Sequence, residues 1–112
     1  MEKITAVLRE ERLPIVLAAL RDLGYGGITI SQVRGHGRQR GVMEQWRGNE
    51  FRVDFLPKAK LELVVGEQHT DSIIAAISEN ARTGAVGDGK IWVTPVSRLV
   101  RVRTGETGEA AI

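Results

Sequence analysis

Residues 83–90 read Thr-Gly-Ala-Val-Gly-Asp-Gly-Lys. Gly84 and Gly89 with Lys90 have the spacing of a phosphate-cradling loop, and Gly87 lies between them. Glycines let successive backbone N–H groups converge on an anion, and the lysine adds a positive charge. Two features depart from that pattern. Ile91 stands where a hydroxyl would follow the lysine, and an apolar helical pattern precedes the glycines while a strand pattern follows them. A helix C-cap glycine followed by a tight turn fits the same residues. Two other basic segments could serve an anion: Gly35 to Gly41, which contains Gly37, Arg38, Gln39 and Arg40, and Arg98 to Arg103. On a strand, Arg101 and Arg103 face the same way, about 6.6 Å apart. Two guanidiniums at that spacing can grip neighbouring phosphates. An edge strand guarded by exposed charge would use the same residues.

Nothing in the chain points to catalysis. His36 and His69 lack metal-ligand spacing, no nucleophile–base pair suggests itself, and there is no cysteine for a disulfide or thiolate site. Asp88 suits holding a turn or receiving a ribose hydroxyl better than acting as a base. Any hydrolysis at such a loop would be slow and incidental.

The elements that must position these residues follow from periodicity. Lys3 to Arg9 alternates as a strand. Leu13, Val16, Leu17, Leu20 and Leu23 form one helical stripe, with Pro14 in the first turn and Gly24, Gly26 and Gly27 after the last. Ile28 to Gly35 and Leu56 to Val65 read as strands. Thr70 is a candidate N-cap for a second helix carrying Ile73, Ile74, Ile77 and Ala81, which Gly84 should end. Lys90 to Val96 reads as a strand, and Ser97 to Arg103 as a short one. The order strand-helix-strand, long loop, strand-helix-strand predicts a doubled βαβ unit: a ferredoxin-like α+β sandwich of four antiparallel strands under two helices. In that topology the end of the second strand is expected beside the start of the last, bringing Gly37 to Arg40 near Gly87 to Lys90.

The loop from Gly37 to Asp54 is too long for a plain connection, and such loops are usually functional. Its ends are expected to extend the flanking strands as a ribbon. Val42, Met43, Trp46 and Phe51 are apolar residues that a loop does not easily bury, and with Arg47 they suggest a protein-docking element. Packing against a neighbouring subunit is the other reading.

At 112 residues the chain is expected to form one domain, 1–112, with a core modest enough that oligomerisation would help. The net charge of +2 comes from interspersed acids and bases, which disfavours a long nucleic-acid stripe. The aliphatic run Ile15 to Leu20 is far too short to cross a membrane, and the N-terminus has no signal-peptide h-region. A cytoplasmic location is expected.

Four segments carry a resemblance that covers nearly the whole chain. These are residues 33–41 (VRGHGRQRG), 47–58 (RGNEFRVDFLPK), 81–91 (ARTGAVGDGKI) and 101–106 (RVRTGE). Together they resemble the PII signal-transduction protein family. The resemblance implies a homotrimer of ferredoxin-like subunits that senses ATP or ADP and 2-oxoglutarate and docks its targets through a T-loop, here about 37–54. It implies a B-loop at about 82–90 and a C-terminal segment at about 97–112. Gly37, Arg38 and Gln39 would begin the T-loop at the nucleotide cleft. Gly87, Asp88, Gly89 and Lys90 would surround phosphates, and Thr29 and Val64 would flank the adenine. Arg101 and Arg103 would reach the phosphates from a neighbouring subunit. Gln39 would help to coordinate Mg2+ when ATP is bound. The 2-oxoglutarate would be taken by Lys58, Gln39, Arg38, Arg40 and Gly41. Arg47, Trp46 and Phe51 would dock targets, among them an ammonium transporter or nitrogen-metabolism enzymes, so the membrane is reached only through a transporter.

Several residues depart from the family's usual ones. Phe51 and Trp46 stand where tyrosines are common, Asn49 where some members have serine, Arg40 for lysine, His36 for phenylalanine, and Glu10-Glu11 for Pro-Phe. A different class, a ferredoxin-like nucleic-acid-binding module, would need stacking aromatics on the sheet, and few are available.

Overall fold

The computed structural model describes residues 1–36 and 55–112 in full, and residues 42–46 and 49–53 by their strand pairing. In chain order it contains β1 (Glu2–Arg9), a 3-10 turn (Glu10–Arg12), α1 (Leu13–Asp22) and β2 (Thr29–Gly35). Then come β3 (Val42–Trp46), β4 (Asn49–Val53), β5 (Leu56–Val65), α2 (Glu67–Ala81), β6 (Gly89–Pro95) and a closing 3-10 turn (Gly108–Ala111). Four strands form one antiparallel sheet in the order β2-β5-β1-β6. This is the expected α+β fold of a four-stranded antiparallel sheet with two helices.

Strand alternation decides which face is covered. Ile4, Ala6 and Leu8 on β1 lie opposite Leu63, Leu61 and Ala59 on β5, and all six are buried. Val16 and Leu20 from α1 and Ile73, Ile77 and Ala81 from α2 complete this core. Each fully buried aliphatic side chain contributes about 1.5–3 kcal/mol. The other face carries Val7, Lys58, Val64, Lys90 and Trp92, and no helix of the described chain covers it. Trp92 is half-exposed there.

Glycine ends α1 as the spacing predicts. The Gly24 N–H bonds Arg21 O at 2.9 Å and the Tyr25 N–H bonds Leu20 O at 2.9 Å, with Gly24 at φ +92. These are the paired bonds of a Schellman C-cap.

Four expectations change. The second helix starts at Glu67 with Gly66 as N-cap, one turn before Thr70. Thr70 is buried inside the helix, where its hydroxyl donates to Glu2 Oε1 at 2.8 Å; that partner lies at the far end of the chain and is invisible to local capping rules. The same helix ends at Ala81, because Arg82 is already extended at ψ 130, so Gly84 belongs to the loop rather than to a helix cap. Residues 97–103 form no strand beyond the single bridge from Val100 to Thr107. Gly105, at φ +74, reverses the chain, so the Arg101 N–H bonds Glu106 O at 2.9 Å instead of a sheet neighbour. Within 37–54, β3 and β4 pair with each other, Val42 opposite Val53 and Trp46 opposite Asn49, as a separate two-stranded ribbon.

Candidate anion-binding site

The loop after α2 is built by close approach and by internal hydrogen bonds. Gly89 has φ +104, and a Cβ there would sit 1.8 Å from Val7 O. Only glycine lets the loop enter β6 against β1 at that point. Gly84 and Gly87 also have positive φ, at +90 and +106.

Asp88 fastens the loop. Its Oδ2 accepts the N–H groups of Thr83 at 2.8 Å and Gly84 at 2.9 Å. Its Oδ1 accepts the Thr83 hydroxyl and Arg9 Nε, the latter at 3.0 Å. The Thr83 hydroxyl bond, then Arg9, then the backbone donors hold this carboxyl well below the usual carboxylate range. Of the two roles open to Asp88, its carboxylate takes that of holding the turn.

Two cations reach the same loop from the sheet. Arg9 Nη2 donates to Val86 O at 2.8 Å, and Lys58 Nζ donates to Gly87 O at 2.6 Å. Lys58 is only 8% exposed, and burial followed by the Arg9 charge lowers its pKa. Arg9 and Lys58 are direct cross-strand partners between β1 and β5.

A groove of about 700 Å³ runs along this end of the sheet, lined by His36, Lys58, Gly87, Asp88, Lys90 and Trp92 among others. The end of β2 and the start of β6 lie at the same end of the sheet but at its two opposite edges, not side by side as expected. β5 and β1 lie between them, so Lys58 and Val7 form the floor that joins the two. His36 packs on Phe55, ring centroids 5.5 Å apart, at the two borders of the long insertion.

Thr29 and Val64 lie elsewhere. They line a second groove, of about 710 Å³, with Lys3, Glu62, Leu99 and Ile112. The C-terminal segment folds beside it, where Arg101 donates to Glu106 Oε1 at 3.1 Å and to Ile112 O at 2.8 Å. Because 101–103 is a turn, Arg101 and Arg103 do not form the strand-spaced pair expected from alternation. Gly37, Arg38, Gln39, Arg40, Gly41 and Arg47, and the side chains of Trp46 and Phe51, lie outside the described residues. Arg9 and Glu106 escaped the sequence reading. Arg9 became noticeable only once the register set it against Lys58.

The class the fold defines is a one-sided, ferredoxin-like α+β sandwich, here with a glycine loop held over a groove that Lys58 and Lys90 line. Sequence comparison gives the family. The family model for nitrogen regulatory protein P-II matches residues 1–106. Nitrogen regulatory protein P-II 1 of Methanothermobacter thermautotrophicus is 53% identical over 112 residues, spanning 100% of this chain and 97% of the relative. P-II proteins of Pasteurella multocida and Rhizobium meliloti are 50% and 46% identical, each over the full length of both chains. The chain belongs to the P-II nitrogen regulatory protein family, which places its role in nitrogen regulation. No described helix is long and apolar enough to cross a membrane.

Proposed function

We propose that this chain is a cytoplasmic, non-enzymatic sensor that binds ATP or ADP at the interfaces of a homotrimer. With Mg-ATP it also binds 2-oxoglutarate, and it signals through the 37–54 loop to targets such as an ammonium transporter. The carrying observation is the loop 83–90, held over the groove by Asp88, Arg9 and Lys58. A phosphate there meets glycine N–H groups and Lys90. The division of the remaining nucleotide residues supports an interface site. Thr29 and Val64 line a different groove from Gly87 to Lys90. A nucleotide touching both sets is reached most simply by two copies, the second supplying Arg101 and Arg103. The uncovered sheet face, with Trp92 half-exposed, gives such copies apolar surface to bury.

Among the described residues no cluster of His, Asp and Glu could hold a metal ion. Gln39 is the residue that would help to hold magnesium in this reading, and the ion would supply charge neutralisation. Lys58 suits one carboxylate of 2-oxoglutarate, beside the loop it already contacts. Arg38, Arg40 and Gly41 border the same ligand. ADP, lacking the γ-phosphate, leaves the insertion to adopt another arrangement, so ligands bias a switch between loop states. Phe51 has no phenolic hydroxyl, so nucleotidylylation at that position is excluded and the signal rests on effector binding. Trp46 and Arg47 would meet the target beside it.

Calorimetric titration of 2-oxoglutarate with and without Mg-ATP tests this reading. Binding that requires Mg-ATP is expected. Equal binding without nucleotide, or none in either case, would contradict it, and tight RNA binding in a parallel titration would favour the nucleic-acid module instead.

A further inference from the structure

Directly opposed like charges destabilise a strand pair, yet Arg9 and Lys58 are partners in the β1–β5 register. Both side chains turn onto the same short stretch of the glycine loop. Arg9 takes Val86 O at 2.8 Å and Asp88 Oδ1 at 3.0 Å, and Lys58 takes Gly87 O at 2.6 Å. A trans peptide unit is planar, and its C=O and N–H point in opposite directions. There are no cis peptide bonds among the described residues. A Val86 carbonyl drawn to Arg9 therefore aims the Gly87 N–H away from it, and a Gly87 carbonyl drawn to Lys58 aims the Asp88 N–H away likewise. Asp88 meanwhile occupies the N–H groups of Thr83 and Gly84. The Gly87 and Asp88 N–H groups are thereby turned away from the two cations that hold the preceding carbonyls.

We propose that Arg9 is a positioning residue of the phosphate loop. Acting with Lys58 through the carbonyls of Val86 and Gly87 and the Asp88 carboxylate, it orients the Gly87 and Asp88 N–H groups toward a phosphate. Arg9 itself need not touch the ligand. The like-charged strand pair is retained because both charges are committed to the loop. The proposal rests on the reading that residues 84–90 hold phosphate, and the experiment separates the two. ATP, ADP and adenosine are titrated by calorimetry into the full-length wild-type chain and into Arg9→Met, Arg9→Lys and Asp88→Asn.

Arg9→Met is expected to weaken ATP and ADP by about tenfold and to leave adenosine unchanged. Arg9→Lys should recover part of that loss, since it can keep one of the two contacts. Without ligand, the Gly87 and Asp88 amide NMR signals should shift in Arg9→Met. Asp88→Asn, nearly isosteric, should reproduce the ATP deficit even if Arg9→Met folds poorly. ATP binding within twofold of wild type in Arg9→Met or Asp88→Asn overturns the proposal. So does an adenosine loss as large as that for ATP, which a general folding defect would produce. Wild-type chain that binds neither ATP nor ADP overturns the phosphate reading itself.

Discussion

The loop 83–90 and the segment 98–112 are both rich in turn residues and each carries basic side chains, but they are held very differently. The first is pinned across the fold: Arg9 reaches it from β1, Lys58 from β5, and Gly89 presses against Val7 O. The second is fastened mostly to itself, by Arg101 to Glu106 and to Ile112 and by the Val100–Thr107 bridge. The first is preorganised by distant parts of the same chain. The second has Arg101 engaged with the carboxylate of Glu106, five residues away. In the proposed reading, a site shared between two copies would combine the fastened loop of one with the C-terminal arginines of the other.

The two glycines of the loop motif allow that contrast to be broken within a few residues. Gly89→Ala should be the most damaging change. Its methyl group would collide with the Val7 carbonyl at 1.8 Å, and overpacking commonly costs about 1–3 kcal/mol, in addition to the strain of a φ of +104. Gly84→Ala has open space around the new methyl and pays only for its φ of +90, about 1–2 kcal/mol. Urea unfolding of both variants checks the order. Equal losses would mean that the loop is not pressed onto β1.

A smaller effect comes from pH. The folded-state pKa of Asp88 lies below its ordinary value. Its contribution is therefore fully present above about pH 3.9, the unfolded value, and is lost as pH falls through the lower folded value. Amide exchange followed by NMR should show Thr83 and Gly84 still protected at pH 4 and opening only at lower pH. Protection lost above pH 4 would contradict the carboxylate's role as the loop's fastener.

Much of this architecture was legible in the sequence. Alternation in Lys3 to Arg9 and Leu56 to Val65, the Leu13–Leu20 stripe and the glycines after it each depend on near neighbours, and each fixed its element. What was hidden depended on distant partners. Thr70 looks like a cap until Glu2 claims its hydroxyl, and α2 begins at Gly66. Arg101 to Arg103 alternates like a strand, but β6 offers that segment no pairing in the described fold, and Gly105 turns it back. Asp88 was recognisable as a turn residue, whereas Arg9 acquires its meaning only from the register that sets it against Lys58. The glycine–lysine motif was visible, and its helix-before, strand-after flanks are those of the fold, with α2 ending at Ala81 and β6 starting at Gly89.

The claim that the site is completed by a second copy is tested most directly by mixing chains. Lys90→Ala removes the loop's cation, and Arg101→Ala/Arg103→Ala removes the C-terminal arginines; each should bind ATP poorly alone. Unfolded together at equal concentrations and refolded, the two should regain a fraction of wild-type ATP sites, because some interfaces would pair an intact loop with intact arginines. ATP binding no greater in the mixed sample than in the separately refolded chains, with mixed oligomers present by native mass spectrometry, would contradict the account.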